Sequence, residues 1–127
     1  MDLKNILLMN YQVITATRIA HWDTYNTNGV IHEVLWETYK YLLDWQDKIW
    51  QYITREWKYI KELKSDYKLD TNDRNEIWKE IIDLIDEYIH QLVDLYDWLD
   101  NKMQQNWFIT YADDLKDFAT KIKSCLD

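Results

Sequence analysis

The sequence predicts an all-α protein, an antiparallel four-helix bundle formed as one domain over residues 1–127. Three observations carry this expectation. Proline is absent and glycine occurs once, at Gly29, so the tight turns of hairpins and barrel corners have little to build on. Apolar residues recur at helical spacing in four separate stretches. The clusters of turn-forming residues between them are short, as in bundles whose successive helices run antiparallel. Hydrophobic residues make up 47% of the chain, enough for a domain of this length to bury a core.

The first helix is expected over about 3–24, with Leu3, Ile6, Leu7, Val13, Ile14, Thr17 and Ala20 on its inner stripe. Asn26-Thr27-Asn28-Gly29 ends it, a run of residues that favour turns. The second helix is expected over about 30–64, with Leu35, Tyr39, Leu42, Gln46, Ile49, Ile53, Trp57, Ile60 and Leu63 inward. A break over 65–73 follows, and Asp73-x-x-Glu76 has the spacing of a capping box for the third helix. That helix places Ile77, Ile81, Leu84, Tyr88, Leu92, Leu95, Leu99 and Met103 on one face, and a third break is expected at 104–109. Phe108, Tyr111, Ala112, Leu115, Phe118, Ala119, Ile122 and Leu126 form the stripe of the fourth.

Charge narrows the choice of partner. The net charge is −8, and the basic residues form neither a tail nor a stripe. Counterion release therefore gives no help toward nucleic acid, and an anionic membrane is disfavoured for the same reason. A basic protein or metal cations suit this field better. Cys125 is the only cysteine, so no intrachain disulfide forms and a reducing, cytoplasmic location is expected. The N-terminus lacks the basic start and apolar run of a signal peptide. No stretch approaches the ~18 apolar residues of a membrane span.

His21 on the inner stripe of the first helix opens the motif that carries most information. Ala20-His21-Trp22-Asp23 is followed, after the Asn/Gly turn, by His32-Glu33-Val34-Leu35, and Asp47 lies fifteen residues after His32. This pattern resembles the Dps-type miniferritins, a branch of the ferritin-like bundles. It also resembles short phage-encoded ferritin-like proteins, which are nearer this chain in size. Asp114-Leu115-Lys116-Asp117-Phe118 is similar to the family's last helix.

The resemblance implies a ferritin-like fold, and iron held between subunits by two His and an Asp of one chain with an Asp and a Glu of its neighbour. Carried across residue by residue, His21, His32 and Asp47 match. Trp36 stands where the first further carboxylate is expected and Gln51 where the second is expected. Both replacements remove the oxygen donors that suit Fe²⁺, so binding is implied more than oxidation. Asp47 lies about 60° from His32 on a wheel of ~100° per residue. That boundary position fits an intersubunit ligand and an ordinary solvated aspartate equally.

Glu87-x-x-His90 matches one half of a di-iron carboxylate motif, but the second half is missing. With Asp83, Asp94 and Asp97 it reads as a solvated acidic face. Two functions are thus expected from the sequence. One is a ferritin-like protein binding iron at an intersubunit site. The alternative is a non-enzymatic acidic helical protein of viral or mobile-element type on the same scaffold, acting as an inhibitor, a DNA mimic or a structural subunit. A homo-oligomer through the first two helices is expected, because Trp36 and Trp50 lie opposite Trp45 and Tyr52 on the second helix and cannot all face one core.

Overall fold

The computed structural model describes residues 3–24, 29–56 and 74–125. Four helices form: α1 (Leu3–Asp23), α2 (Gly29–Glu56), α3 (Arg74–Trp98) and α4 (Lys102–Ser124). Helix α1 packs against α2 and α3, and α4 packs against α3 and α2. The four helices make an all-α bundle in which α1 faces α4, and α2 faces α3, across the diagonals.

Ring contacts set the directions. Along α2, Tyr41 meets Phe118, Trp45 meets Tyr111 and Tyr52 meets Phe108 of α4. The numbers rise on one helix as they fall on the other, so α2 and α4 are antiparallel. Short links make α1 antiparallel to α2 and α3 antiparallel to α4. It follows that α2 and α3 run in the same direction. The end of α2 and the start of α3 therefore lie at opposite ends of the bundle, and every packed pair is antiparallel.

Most of the described residues of the expected inward stripes are buried, while Tyr39, Gln46, Leu84 and Phe118 are half-buried. Ile6, Leu7, Val13 and Ile14 of α1, Leu35, Leu42 and Ile49 of α2, Ile81, Leu92 and Leu95 of α3, and Leu115 and Ile122 of α4 all lie in one apolar core. Buried threonines on α1 and α2 are satisfied locally: the hydroxyls of Thr17 and Thr38 donate to the carbonyls of Val13 and Val34. This back-bonding removes the cost of burying an unpaired hydroxyl.

The third break differs from expectation. It falls at Leu99–Asn101 and not at 104–109, so Met103 belongs to α4 and is exposed, not part of the α3 core face. Asn101 is the cause. Its side-chain oxygen accepts from the backbone N–H groups of Met103 and Gln104, satisfying two donors that a helix start leaves open. Gln105 then donates to the carbonyls of Tyr96 and Leu99, closing the end of α3. The expected second break, the cap at Asp73 and the inward stripe of the second helix beyond Glu56 lie outside the described residues.

The aromatic argument about α2 is also corrected. Trp45 and Tyr52 do not form an exposed patch. Tyr52 is buried against Phe108, and Trp45 stacks on Tyr111 with ring centres 4.6 Å apart. Trp50 lies on the other side and donates from its indole nitrogen to Asn10 of α1. Helix α2 has two packed neighbours in different directions, so one aromatic group serves each of them.

The centre of the bundle is polar. Asn10 of α1 and Tyr88 and Tyr111 of α3 and α4 are fully buried. The Asn10 amide donates to the Tyr88 hydroxyl at 3.0 Å and accepts from Trp50 at 3.3 Å, and the Tyr111 hydroxyl donates to that of Tyr88 at 3.2 Å. One hydrogen-bonded chain thus takes a member from each helix. Burial pushes the pKa of Tyr88 and of Tyr111 well above the ordinary phenol value.

Two outcomes follow from this architecture. Asn101→Ala removes the α4 cap and is expected to cost about 1 kcal/mol, read as a lower midpoint in urea with an unchanged slope. Above the ordinary tyrosine value of ~10, unfolded phenols ionise while Tyr88 and Tyr111 keep their protons. Stability is therefore fully present below that pH and is lost as pH rises above it. A urea series across this range is expected to show the decline, and Tyr88→Phe should flatten it.

Candidate functional site

Helix α1 ends, and α2 begins, at the same end of the bundle. His21 and His32 therefore approach each other although they lie on different helices. Their rings stack with centres 4.2 Å apart and planes 25° apart. Both side chains are half-buried. The pair named from the sequence is therefore brought together.

Thr24, a residue to which the motif reading assigned no role, joins the two. Its hydroxyl donates to the carbonyl of His21 at 2.9 Å and lies 3.0 Å from His32 Nδ1. A hydroxyl has one proton to give. With that proton on the His21 carbonyl, the contact with His32 requires a proton on Nδ1. His21 Nδ1 lies 3.4 Å from the carbonyl oxygen of His32, which can only accept. Both Nδ1 atoms thus face protein oxygens, an arrangement that suits δ-protonated neutral rings. Orienting one ring nitrogen with a protein oxygen is how metal-binding imidazoles are usually fixed. The sequence signal for Thr24 was its place three residues after His21, one helical turn on, where a side chain can reach the carbonyl behind it.

Asp47 is exposed and stands apart. Fifteen residues of helix separate it from His32, about 22 Å at 1.5 Å per residue. It cannot join the two imidazoles within one chain. Trp36 lies one turn beyond His32, where the resemblance implied a carboxylate, and its ring centre lies 5.2 Å from that of His21. Among the described residues, no group of three or more His, Cys, Asp or Glu could hold a metal ion. Among the described residues of one chain the donors do not make up an iron centre: two imidazoles converge, and no cluster of three donors forms.

The other candidates take their expected places. His90 and Glu87 are exposed on α3 with Asp83, Asp94 and Asp97. Cys125 is half-buried, with its thiol donating to the carbonyl of Lys121. A cavity of about 320 Å³ bounded by Tyr52, Trp98, Leu99, Asp100, Asn101 and Gln104 lies at the opposite end of the bundle from the histidines. No described helix is long and apolar enough to cross a membrane. Comparison with protein-family models, with curated proteins and with solved structures finds no match.

Thr24→Val keeps the shape of the side chain and removes the hydroxyl. It is expected to cost about 1 kcal/mol and to loosen the His32 tautomer, read from the ring nitrogen shifts by NMR. Unchanged shifts would mean that Thr24 does not orient the ring.

Proposed function

We propose that this chain is a ferritin-like protein in which His21 and His32 form half of an iron-binding site completed by a carboxylate of a second copy. The observation that carries the reading is the stacked histidine pair with both Nδ1 atoms turned to protein oxygens. Helix order supports it as well. Parallel α2 and α3 on one diagonal suit the single long crossover of ferritin-like bundles.

The outer stripe of α2 supports the second copy. His32, Trp36, Leu43 and Asp47 lie within about 60° of one another on the helical wheel. Trp36 and Leu43 are 41% and 38% exposed, unusual for residues of this type midway along a packed helix. A two-fold interface pairs residue i with j and j with i. If two α2 helices cross antiparallel about a point between Tyr39 and Lys40, Trp36 meets the partner's Leu43. The same axis sets His32 opposite the partner's Asp47. One symmetry operation covers the apolar pair and brings the missing carboxylate to the imidazoles.

In this reading His21 and His32 supply neutral nitrogen donors, Thr24 and the His32 carbonyl hold their orientation, and Asp47 supplies charge. Bound iron would contribute Lewis acidity and redox capacity there. Trp36 and Gln51 in place of carboxylates leave a donor set poorer in oxygen than the family's, so binding is proposed and oxidation is not.

A second reading rests on Trp36. An indole packed on His21 where a carboxylate would bind is what a scaffold shows once its site has been given up. The chain would then be a non-enzymatic acidic interaction protein of viral type, and its charge of −8 would favour a basic protein over nucleic acid.

Anaerobic titration with Fe²⁺, paired with light scattering, separates the two. The expected result is an oligomer that binds one iron per histidine pair and loses that binding in both His21→Ala and Asp47→Ala. Loss in the second variant requires a second chain, given the separation along α2. A mass at the monomer's 15.8 kDa, or binding no stronger than in His21→Ala, favours the interaction protein.

A further inference from the structure

The end of the bundle opposite the histidines holds a groove that neither reading above uses. A cavity of about 320 Å³ is lined there, among the described residues, by Tyr52, Trp98, Leu99, Asp100, Asn101 and Gln104. A second, of about 230 Å³, is lined by Lys48, Gln51, Tyr52, Met103, Gln104 and Trp107. Tyr52 and Gln104 border both, so the two cavities adjoin and form one groove. Trp98 lines one and Trp107 the other, and they leave 52% and 47% of their surface to solvent.

The charges of the groove are separated. Among the described residues, Asp100 is the one carboxylate lining the first cavity and Lys48 the one ammonium lining the second. No described side chain pairs with the Asp100 carboxylate or the Gln104 amide. Asp100 is nevertheless held from both sides. Leu99 before it is buried and its carbonyl accepts from Gln105, and Asn101 after it caps α4. A group fixed in this way gives up little freedom on binding. Lys48 rests its ammonium over the Trp45 ring at 4.6 Å, a contact that leaves N–H donors for an anion.

We propose that this groove binds arginine, as the free amino acid or as the C-terminal residue of a peptide, with the guanidinium between Trp98 and Asp100 and the carboxylate at Lys48. A guanidinium is planar, stacks on an indole face and offers paired N–H donors to a carboxylate. The chain makes the same stacking contact elsewhere, where the Arg18 guanidinium lies 5.3 Å from the centre of the Trp22 ring. A quaternary ammonium also lies well over an indole, but it has no N–H to give to Asp100 or to the amide oxygen of Gln104. The compact, strongly hydrated ammonium of lysine gains less from the flat face of Trp98. The aliphatic stem of arginine takes apolar cover from Met103 and Tyr52. From Glu80 to Asn101 the chain has no lysine or arginine, and Asp94 lies one helical turn before Trp98, so the field at this cavity favours a cation.

The test uses the whole chain with L-arginine, agmatine and L-citrulline as probes, read by calorimetry and by the indole N–H signals in NMR. Agmatine is arginine without its carboxylate, and citrulline carries a neutral urea in place of the guanidinium. The expected result is saturable binding of one arginine per chain that shifts the signals lost in Trp98→Phe and Trp107→Phe. Agmatine and citrulline should each bind at least about tenfold more weakly, the loss of one charge-assisted contact. Asp100→Asn should weaken arginine and agmatine alike, and Lys48→Gln should weaken arginine alone. A diglycyl-arginine tripeptide that binds as arginine does assigns the groove to a peptide end, and its exclusion assigns it to the free amino acid. Absence of saturable binding by both arginine and the tripeptide, citrulline or agmatine binding as tightly as arginine, or unchanged affinity in Asp100→Asn overturns the proposal. The small probes need only the native chain, so they decide the matter even if a variant fails to fold.

Discussion

The hydrogen-bonded chain through Asn10, Tyr88, Tyr111 and Trp50 is the constraint on which the rest of the bundle depends. Apolar layers above and below it can slide by a turn and still bury much the same area. A buried amide cannot slide, because each lost partner leaves a desolvated polar atom at a cost of about 1–3 kcal/mol. With one residue from each helix, the chain admits only one relative height for all four. That height brings His21 level with His32 at one end of the bundle and Tyr52 level with Phe108 toward the other. Polar groups inside bundles set register in this way at some cost in stability.

Helix α2 shows how an aromatic excess is accommodated. It is packed by α1 on one side and α4 on another, and its rings divide between them. Trp50 goes toward α1, while Tyr41, Trp45 and Tyr52 go toward α4. Val30 at its start and Trp36 and Leu43 midway along it remain exposed, the last two flanked by His32 and Asp47. The Tyr41 cluster sits on the other side of the same helix, against α4.

At the histidine end, two imidazoles meet and Trp36 lies beside them. Thr24 and the carbonyl of His32 lie against the Nδ1 atoms of the two stacked imidazoles. Trp36 fills its position with a flat apolar surface against His21. Helix packing depends on the inward stripes, and Trp36 lies outside them.

The sequence by itself determined the helical class, most of the inward stripes and where the first helix ends, because each depends on local spacing. Periodicity marks a face, and the lone glycine with its asparagines marks a break. It also indicated the histidine pair, since two helices joined by so short a turn must bring their adjoining ends together. It misplaced the start of α4, where Met103 continued the α3 pattern in register. A cap is chosen by side-chain hydrogen bonds, and Asn101 looks like any polar residue until its neighbours' N–H groups are in place. Only the tertiary structure decided that Trp45 and Tyr52 face inward, because one helix read alone does not reveal how many neighbours it has. It alone joined Tyr41 to Asp114 and Asn10 to Tyr88, residues 73 and 78 positions apart. Contacts at such separation are set by how the stripes of different helices meet, and no spacing within one stripe encodes that.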